Sequence, residues 1–395
     1  MKSSRESAVK RVIRKPQAVA GLESKLLRVV RGKGPISRVN LARELELVPS
    51  TAGIYVERLL KDRFLIETTA AARTHGRPPI LLQLNPEGGR FIGVDFDARQ
   101  IMAVAVDFAQ QPLVQVRRTI PARSGTERVL TLIEEVIQEV AGSQRKDVLG
   151  IGLGVPGPID ADRGLSLRYD FIRDWHNVAV GPRMAAKFRV PVFVENNLRS
   201  MALGELWCGR GQGLRHLVCL GIRSGIGAGI IVDGKLLAGA HNLAGEIGRW
   251  SYPHADALNG GVRTIEDTAS LTAILSAAAS RLNRRQGRET GELPSVTELL
   301  TAVEEGDRAI VELMEGAARV HGWIAHQLAL LFDPERIVLA GPLVESATYL
   351  TALKQTVGRL PGGIDGEKIV CSTLGPFAGA IGAAALAFHH WVPGR

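Results

Sequence analysis

The apolar and polar positions of this chain follow one pattern before residue 90 and another after it. In the first stretch, apolar residues at helical spacing run from Leu22 to Val30 and stop at Gly32, Gly34 and Pro35, which predicts a helix over 22–30. Ser37 is a good N-cap for a second helix to Leu45, with Val39, Leu41, Ala42 and Leu45 as its apolar stripe. Leu47-Val48-Pro49 then turns the chain, and Ser50 is read as the cap of a third helix over 51–61 that buries Ile54, Leu59 and Leu60. Two β-rich runs, 64–69 and 80–84, flank a tip containing Gly76-Arg77-Pro78-Pro79 and predict a hairpin. After Asn85-Pro86-Glu87-Gly88-Gly89, read as a linker, residues 91–107 alternate as two strands around Asp97-Ala98-Arg99-Gln100, with another strand and an amphipathic helix over 127–140 behind them. Residues 216–237 repeat that plan, again with helices following. Strands followed by helices, twice over, predict two α/β lobes with a cleft between them.

Composition adds little until it is divided along the chain. An apolar content of 45% and a charged content of 23% describe ordinary globular material, and no apolar run has the length of a membrane span. The start of the chain has no apolar signal core, so a cytoplasmic location is expected. Cys208, Cys219 and Cys371 are too few and too scattered for a disulfide framework or a zinc knuckle, and are read as reduced, buried thiols. The net charge of +9 is the informative number. Residues 1–90 hold 18 Lys and Arg against 8 Asp and Glu, or +10, and the remainder of the chain holds 31 against 32, or −1.

A basic front end ahead of a near-neutral body points to an acidic polymer as its partner. Residues 1–20 read as a basic tail. Residues 21–85 read as a winged helix-turn-helix in which Arg38, Ser50, Thr51, Tyr55 and Arg58 are candidate DNA contacts from the helices, and Arg77 is a candidate minor-groove contact from the wing. A protein-interaction module remains the alternative for three helices of this kind.

Candidate chemistry in the body centres on residues 191–197, Pro-Val-Phe-Val-Glu-Asn-Asn. A short β-branched and aromatic run that stops at Glu195, Asn196 and Asn197 has the form of a buried strand delivering polar groups to a pocket at its C-terminal end. An ordinary polar turn is the other reading. Asn197 can orient a hydroxyl but has no carboxylate with which to take its proton. Gly154-Val155-Pro156-Gly157-Pro158 is a strand running into a turn that allows close backbone approach.

Together with Ser224-Gly225-Ile226-Gly227-Ala228-Gly229 and Gly245-Glu246-Ile247-Gly248, these segments resemble the repressor, open-reading-frame and kinase family, ROK, over nearly the whole chain. The resemblance implies a two-lobed, actin-like fold of the sugar kinase and ribonuclease H type over 86–395. Members carrying an N-terminal winged helix resemble sugar-responsive repressors; those lacking one are sugar kinases. The matched sugar-contacting carboxylates are Glu246 and Glu266, with Glu195, Asn196 and Asn197 alongside.

Three departures from the kinase pattern accompany the match. The phosphate-binding Asp-x-Gly-Gly-Thr reads Asp95-Phe96-Asp97-Ala98-Arg99, so a carboxylate stands where a phosphate would lie. The catalytic Asp position is Asn197. The family's zinc ligands fall on Arg249, Ala257, Asn259 and Thr264, so no zinc and no other cofactor is expected. Arg249 is expected to pair with Glu246 or Glu266, or to reach an acidic ligand. For Glu246 a plain solvated loop acid is the alternative.

The expectation is therefore a DNA-binding regulator, acting as a homodimer or homotetramer on a palindromic operator, that binds a sugar or sugar-derived effector without phosphorylating it. A sugar kinase with a DNA-binding appendage, and a regulator controlled by a protein partner or a non-sugar ligand, stand as alternatives. A helix over 310–332 with Val320, Trp323, Ile324, Leu328 and Leu331 serves either the core or a subunit interface.

Overall fold

In a computed structural model, residues 21–69, 79–143, 145–252, 263–286, 293–362 and 365–394 are described. They divide into two units. One runs from the first helix to Trp207 and takes up the chain again at Gly379; the other is Cys208–Ala378.

The first unit begins with α1 (Leu22–Lys33), α2 (Arg38–Glu44) and α3 (Pro49–Lys61), followed by the antiparallel pair β1 (Leu65–Thr69) and β2 (Ile80–Leu84). Ser37 caps α2 by accepting a hydrogen bond from the Asn40 amide, as its residue type predicts. The cap of α3 differs from expectation. Val48 is its N-cap residue and Pro49 opens it, which suits proline because the first helical amide has no intrahelical partner. The buried face of α3 is also rotated: Ala52, Val56 and Leu59 are inside, whereas Ile54 is 62% exposed. Val39, assigned to the buried stripe of α2, is likewise exposed. The wing tip carrying Arg77 lies outside the described residues, as does the basic tail.

A five-stranded sheet follows, in the order β10-β6-β3-β4-β5: β3 (Arg90–Phe96), β4 (Gln100–Asp107), β5 (Pro112–Thr119), β6 (Val148–Val155) and β10 (Val192–Asn196). The first three strands form an antiparallel meander, while β6 and β10 are parallel to β3. Helix α4 (Thr126–Ala141) packs Val129, Ile133, Val136 and Ile137 onto this sheet. A small sheet of β7 (Ile159–Asp160), β8 (Leu165–Arg168) and β9 (His176–Val178) leads to α5 (Val180–Phe188). From β10 the chain enters α6 (Asn197–Cys208) with no intervening loop.

The second unit repeats the topology. Its sheet order is β13-β12-β11-β16-β17, from β11 (Leu217–Ile222), β12 (Ile226–Val232), β13 (Lys235–Leu236), β16 (Arg336–Ala340) and β17 (Ile369–Cys371). Between β13 and β16 lie β14 (Ser251–Tyr252), β15 (Arg263–Thr264), α7 (Ile265–Ala269), α8 (Leu271–Gln286), α9 (Val296–Glu304) and α10 (Arg308–Phe332), and α11 (Ala347–Arg359) precedes β17. Counted within each unit, both sheets run 3-2-1-4-5, the duplicated arrangement of the actin-like fold.

On α10, Ile324 and Leu328 are core residues and Val320 and Trp323 are partly buried, while Leu331 is exposed. Only Cys219 among the cysteines is fully buried; Cys208 and Cys371 are half-buried. No helix among the described residues is long and apolar enough to cross a membrane.

The last helix, α12 (Ala378–His390), rests directly on the first sheet. A Cβ on Gly152 would lie 1.8 Å from the Ala383 carbonyl oxygen, and one on Gly382 would lie 1.8 Å from that of Ser200 in α6. These contacts are possible only at glycine, and they press α12 against both the sheet and α6. The end of α12 is also the seat of the winged helix: Phe64 lies against Phe108 and Trp391, and Ser24 donates to the Trp391 carbonyl.

Candidate effector and DNA sites

The strand-to-helix junction at residues 195–199 is built from its own side chains. Asn196 is almost fully buried, and its Oδ1 accepts from the amides of Leu198 (2.9 Å) and Arg199 (3.2 Å), satisfying the exposed donors at the start of α6. Its Nδ2 donates to the Gly157 carbonyl at 3.0 Å, tying the Gly-Pro turn to the junction. Glu195 takes Arg199 Nε at 2.7 Å and its neighbour's amide, Asn196 N, also at 2.7 Å. Burial pushes the Glu195 carboxyl up, against the opposing pull of the Arg199 charge. Arg199 is 2% exposed on its side chain, so this ion pair is internal. Asn197, the first residue of α6, donates Nδ2 to the Phe96 carbonyl at 3.3 Å. All three polar residues at this strand end thus have backbone or ion-pair partners, and the strand passes straight into the helix with no turn between them.

The β3–β4 hairpin lies beside that junction through the Phe96 carbonyl. Asp97 Oδ1 accepts from the amides of Arg99 (2.8 Å) and Gln100 (3.0 Å). Those are the donors that a hairpin of this kind would offer an anion, and here the chain's own carboxylate occupies them.

In the second unit, Glu246, Arg249 and Glu266 are brought together. Arg249 Nε stands 3.4 Å from Glu246 Oε2 across a single turn of 3₁₀ helix, and Arg249 is largely exposed. Glu266 Oε2 accepts from the Ile226 amide at 3.3 Å. Gly225 and Gly248 make room for this carboxylate, because a Cβ on either would come within 2.8 Å of Glu266 Oε2. The Glu266 carboxyl is pushed up by burial, relieved by the Ile226 amide, and raised further by the charges of Glu246 and Asp267. The group is an acceptor-rich cluster with Arg249 on its rim. Thr264, at a zinc-ligand position, caps α7 in a reciprocal box with Asp267. Ala257 and Asn259 lie outside the described residues.

On the winged helix, Ser50 and Arg58 are exposed on the face of α3 away from the core, with Thr51 and Tyr55 half-buried at its border. Arg58 reaches Glu23 of α1 at 2.7 Å, and its guanidinium sits 5.5 Å from the Tyr55 ring centre. Arg38 is committed to two carboxylates, Glu57 of α3 at 2.5 Å and Glu67 of β1 at 2.6 Å, and so fixes the recognition helix against the wing strand. The residues that sequence reasoning missed are Arg199, whose spacing four after Glu195 was a usable signal, and Arg31, whose contact with Trp207 had none.

The ROK family profile matches residues 91–390. The chain belongs to the ROK family. It is 28% identical to the xylose repressor of Caldicellulosiruptor bescii over 327 residues, covering 80% of this chain and 81% of the repressor. A crystal structure of a ROK transcriptional regulator, described as a homologue of Escherichia coli Mlc, shares the fold over 97% of each chain with a TM-score of 0.75 at 24% identity. A Streptomyces griseus ROK glucokinase, solved with glucose and AMPPNP, superposes with a TM-score of 0.65 at 28% identity, over 76% of this chain and 99% of its own. The regulator's fold therefore extends over the winged helix, and the kinase accounts for about the ROK portion alone.

Proposed function

We propose that this protein is a DNA-binding transcriptional repressor whose ROK portion binds a sugar or sugar derivative and does not phosphorylate it. One observation carries this reading: three helices and an antiparallel strand pair of winged-helix form precede a ROK unit whose β3–β4 hairpin amides are already capped by Asp97. A triphosphate would meet a fixed carboxylate and would find two amide donors engaged. A sugar hydroxyl near Asn197 would meet an amide in place of a base. The names and coverages agree with this division: the transcriptional regulator is matched over 97% of this chain, and the glucokinase over 76%.

In this reading Glu246 and Glu266 accept hydroxyl hydrogens with Arg249 completing the polar contacts of the second unit, while in the first unit Glu195 and Asn196 hold Asn197 in place. Ser50, Thr51, Tyr55, Arg58 and Arg77 contact DNA, with Arg38 orienting the reading helix. The active form is a homo-oligomer on a palindromic operator, because one recognition helix spans few bases.

The test is selection of binding sites from random duplex DNA by the full chain, followed by anisotropy titrations of the selected site with and without a panel of monosaccharides. Enrichment of a palindrome whose affinity changes with a sugar supports the proposal. ATP-dependent phosphorylation of a panel sugar would overturn its non-catalytic half.

A further inference from the structure

Ile54 is one of several apolar residues that the fold leaves exposed, and it is the one in the middle of α3. It stands mid-helix on α3 and is 62% exposed, while Ala52, Val56 and Leu59 on the same helix are at most 2% exposed. At about 100° per residue, Ile54 lies nearly opposite the buried stripe, with Ser50 and Arg58 one turn to either side. Helix propensity does not account for it, since a polar straight-chain residue would serve an exposed position equally well. The occupant must therefore tolerate a branched apolar group flanked by a hydroxyl and a guanidinium. Within the major groove only the thymine 5-methyl group presents such an apolar surface beside hydrogen-bonding edges. The charge of the first 90 residues, +10 from 18 basic and 8 acidic side chains, favours a polyanion over a second protein surface at this face.

We infer that Ile54 is a specificity-determining residue that reads the methyl group of a thymine at a fixed position in each operator half-site. The inference rests on the proposed DNA-binding function and goes beyond it by assigning a base. Arg58 and Ser50, on either side, engage the neighbouring phosphate or base edges, so the thymine lies in the middle of the contacted stretch.

The experiment is parallel selection from random duplex DNA with the full wild-type chain, Ile54→Ala and Ile54→Val. Alanine is the best helix former, so the first variant keeps α3, and the second keeps a branched methyl pair. The expected result is a motif common to all three proteins, except that the Ala variant loses its thymine preference at one position per half-site. In the wild-type site, replacing that thymine by uracil should weaken binding on the order of 4-fold, the worth of one buried methyl group. The same replacement should leave Ile54→Ala nearly unaffected. An identical motif for wild type and Ile54→Ala overturns the inference and leaves DNA binding standing, as it would if Ile54 met a second copy of this chain. Uniform loss of affinity by the Ala variant at every position overturns it too, since that marks a structural role. If the wild type enriches no motif, the DNA-binding reading itself fails, and that outcome is separate from the others.

Discussion

The guanidinium carbon of Arg31, on the first helix of the winged helix, lies 4.3 Å from the ring centre of Trp207, near the far end of the helix that begins at Asn197. Phe388 faces the same guanidinium at 5.1 Å, and His389 stacks on the Trp207 ring at 4.9 Å. Helix α6 is buried along almost its whole length and touches α12 at glycine distance, packing that resists internal deformation. The helix thus links Asn197 physically to the seat of the winged helix, and coupling through it is tested at Trp207. Trp207→Ala should keep the sugar affinity of the DNA-free protein within about 2-fold while reducing the sugar's effect on operator affinity, which is ordinarily about 5- to 150-fold in coupled systems. Calorimetry with sugar and anisotropy with operator measure the two quantities. An unchanged coupling factor would remove α6 from the pathway.

Restoring the kinase residue at position 197 should not restore a kinase. Asn197→Asp supplies a base, but Asp97 still occupies the Arg99 and Gln100 amides and still repels phosphate. A coupled ADP-release assay should give background rates for the wild type and for this single variant alike. Turnover by Asn197→Asp would mean that the hairpin accepts a nucleotide despite its cap.

Arg58→Ala should weaken operator binding and lower the slope of log affinity against log salt by about 0.9 if its contact is a phosphate. Its ion pair with Glu23 is more than half exposed on the Arg side, so the variant should unfold at nearly the wild-type denaturant concentration. Arg38→Ala should differ. It severs the ties to both Glu57 and Glu67, and should reduce affinity through a misplaced wing, with wild-type and mutant sites affected alike.

Much of this architecture is legible in the residues, and the exceptions have physical reasons. Helix α1, the β3–β4 hairpin and α4 follow from periodicity because their apolar stripes admit one phase. Helix α3 does not: apolar residues at 52, 54, 56, 59 and 60 fit two stripes, and packing onto α1 and β1 selects the one that leaves Ile54 outside. The junction at 196–197 hid a helix start because no Gly or Pro marks it, although Asn is among the best N-caps. Glu246 and Glu266 came from the family pattern, and only the coordinates show that Gly225 and Gly248 exist to admit Glu266. Asp97 was legible as a carboxylate in the first hairpin, but its choice of partners, two amides of its own turn, depends on angles that spacing does not encode.

The second unit should lose stability in mild acid. His321 is fully buried, with Nδ1 2.8 Å from the Tyr349 hydroxyl and Nε2 2.9 Å from the Ala269 carbonyl oxygen, and burial lowers its pKa to about 4. An unfolded histidine titrates near 6.5, so between those values the unfolded chain binds the extra proton. The stabilisation is complete above about pH 6.5, falls as pH drops, and is exhausted near pH 4, for a total of about 3 kcal/mol. Urea denaturation from pH 7 to 4 should show this slope in the wild type and a shallower one in His321→Gln. Equal slopes would assign the acid sensitivity to other groups.

The central claim, that a sugar held by the ROK portion sets the affinity of the winged helix for DNA, is tested most directly by titrating the responsive monosaccharide calorimetrically into the protein alone and into its operator complex. Linkage requires that the sugar's dissociation constant change on DNA binding by the same factor by which the sugar changes operator affinity. The expected result is weaker sugar binding in the complex, by several-fold or more, with Glu246→Ala abolishing sugar binding in both titrations and leaving operator affinity intact. Equal sugar affinities with and without operator would contradict the claim, and the pocket would then play no part in control of DNA binding.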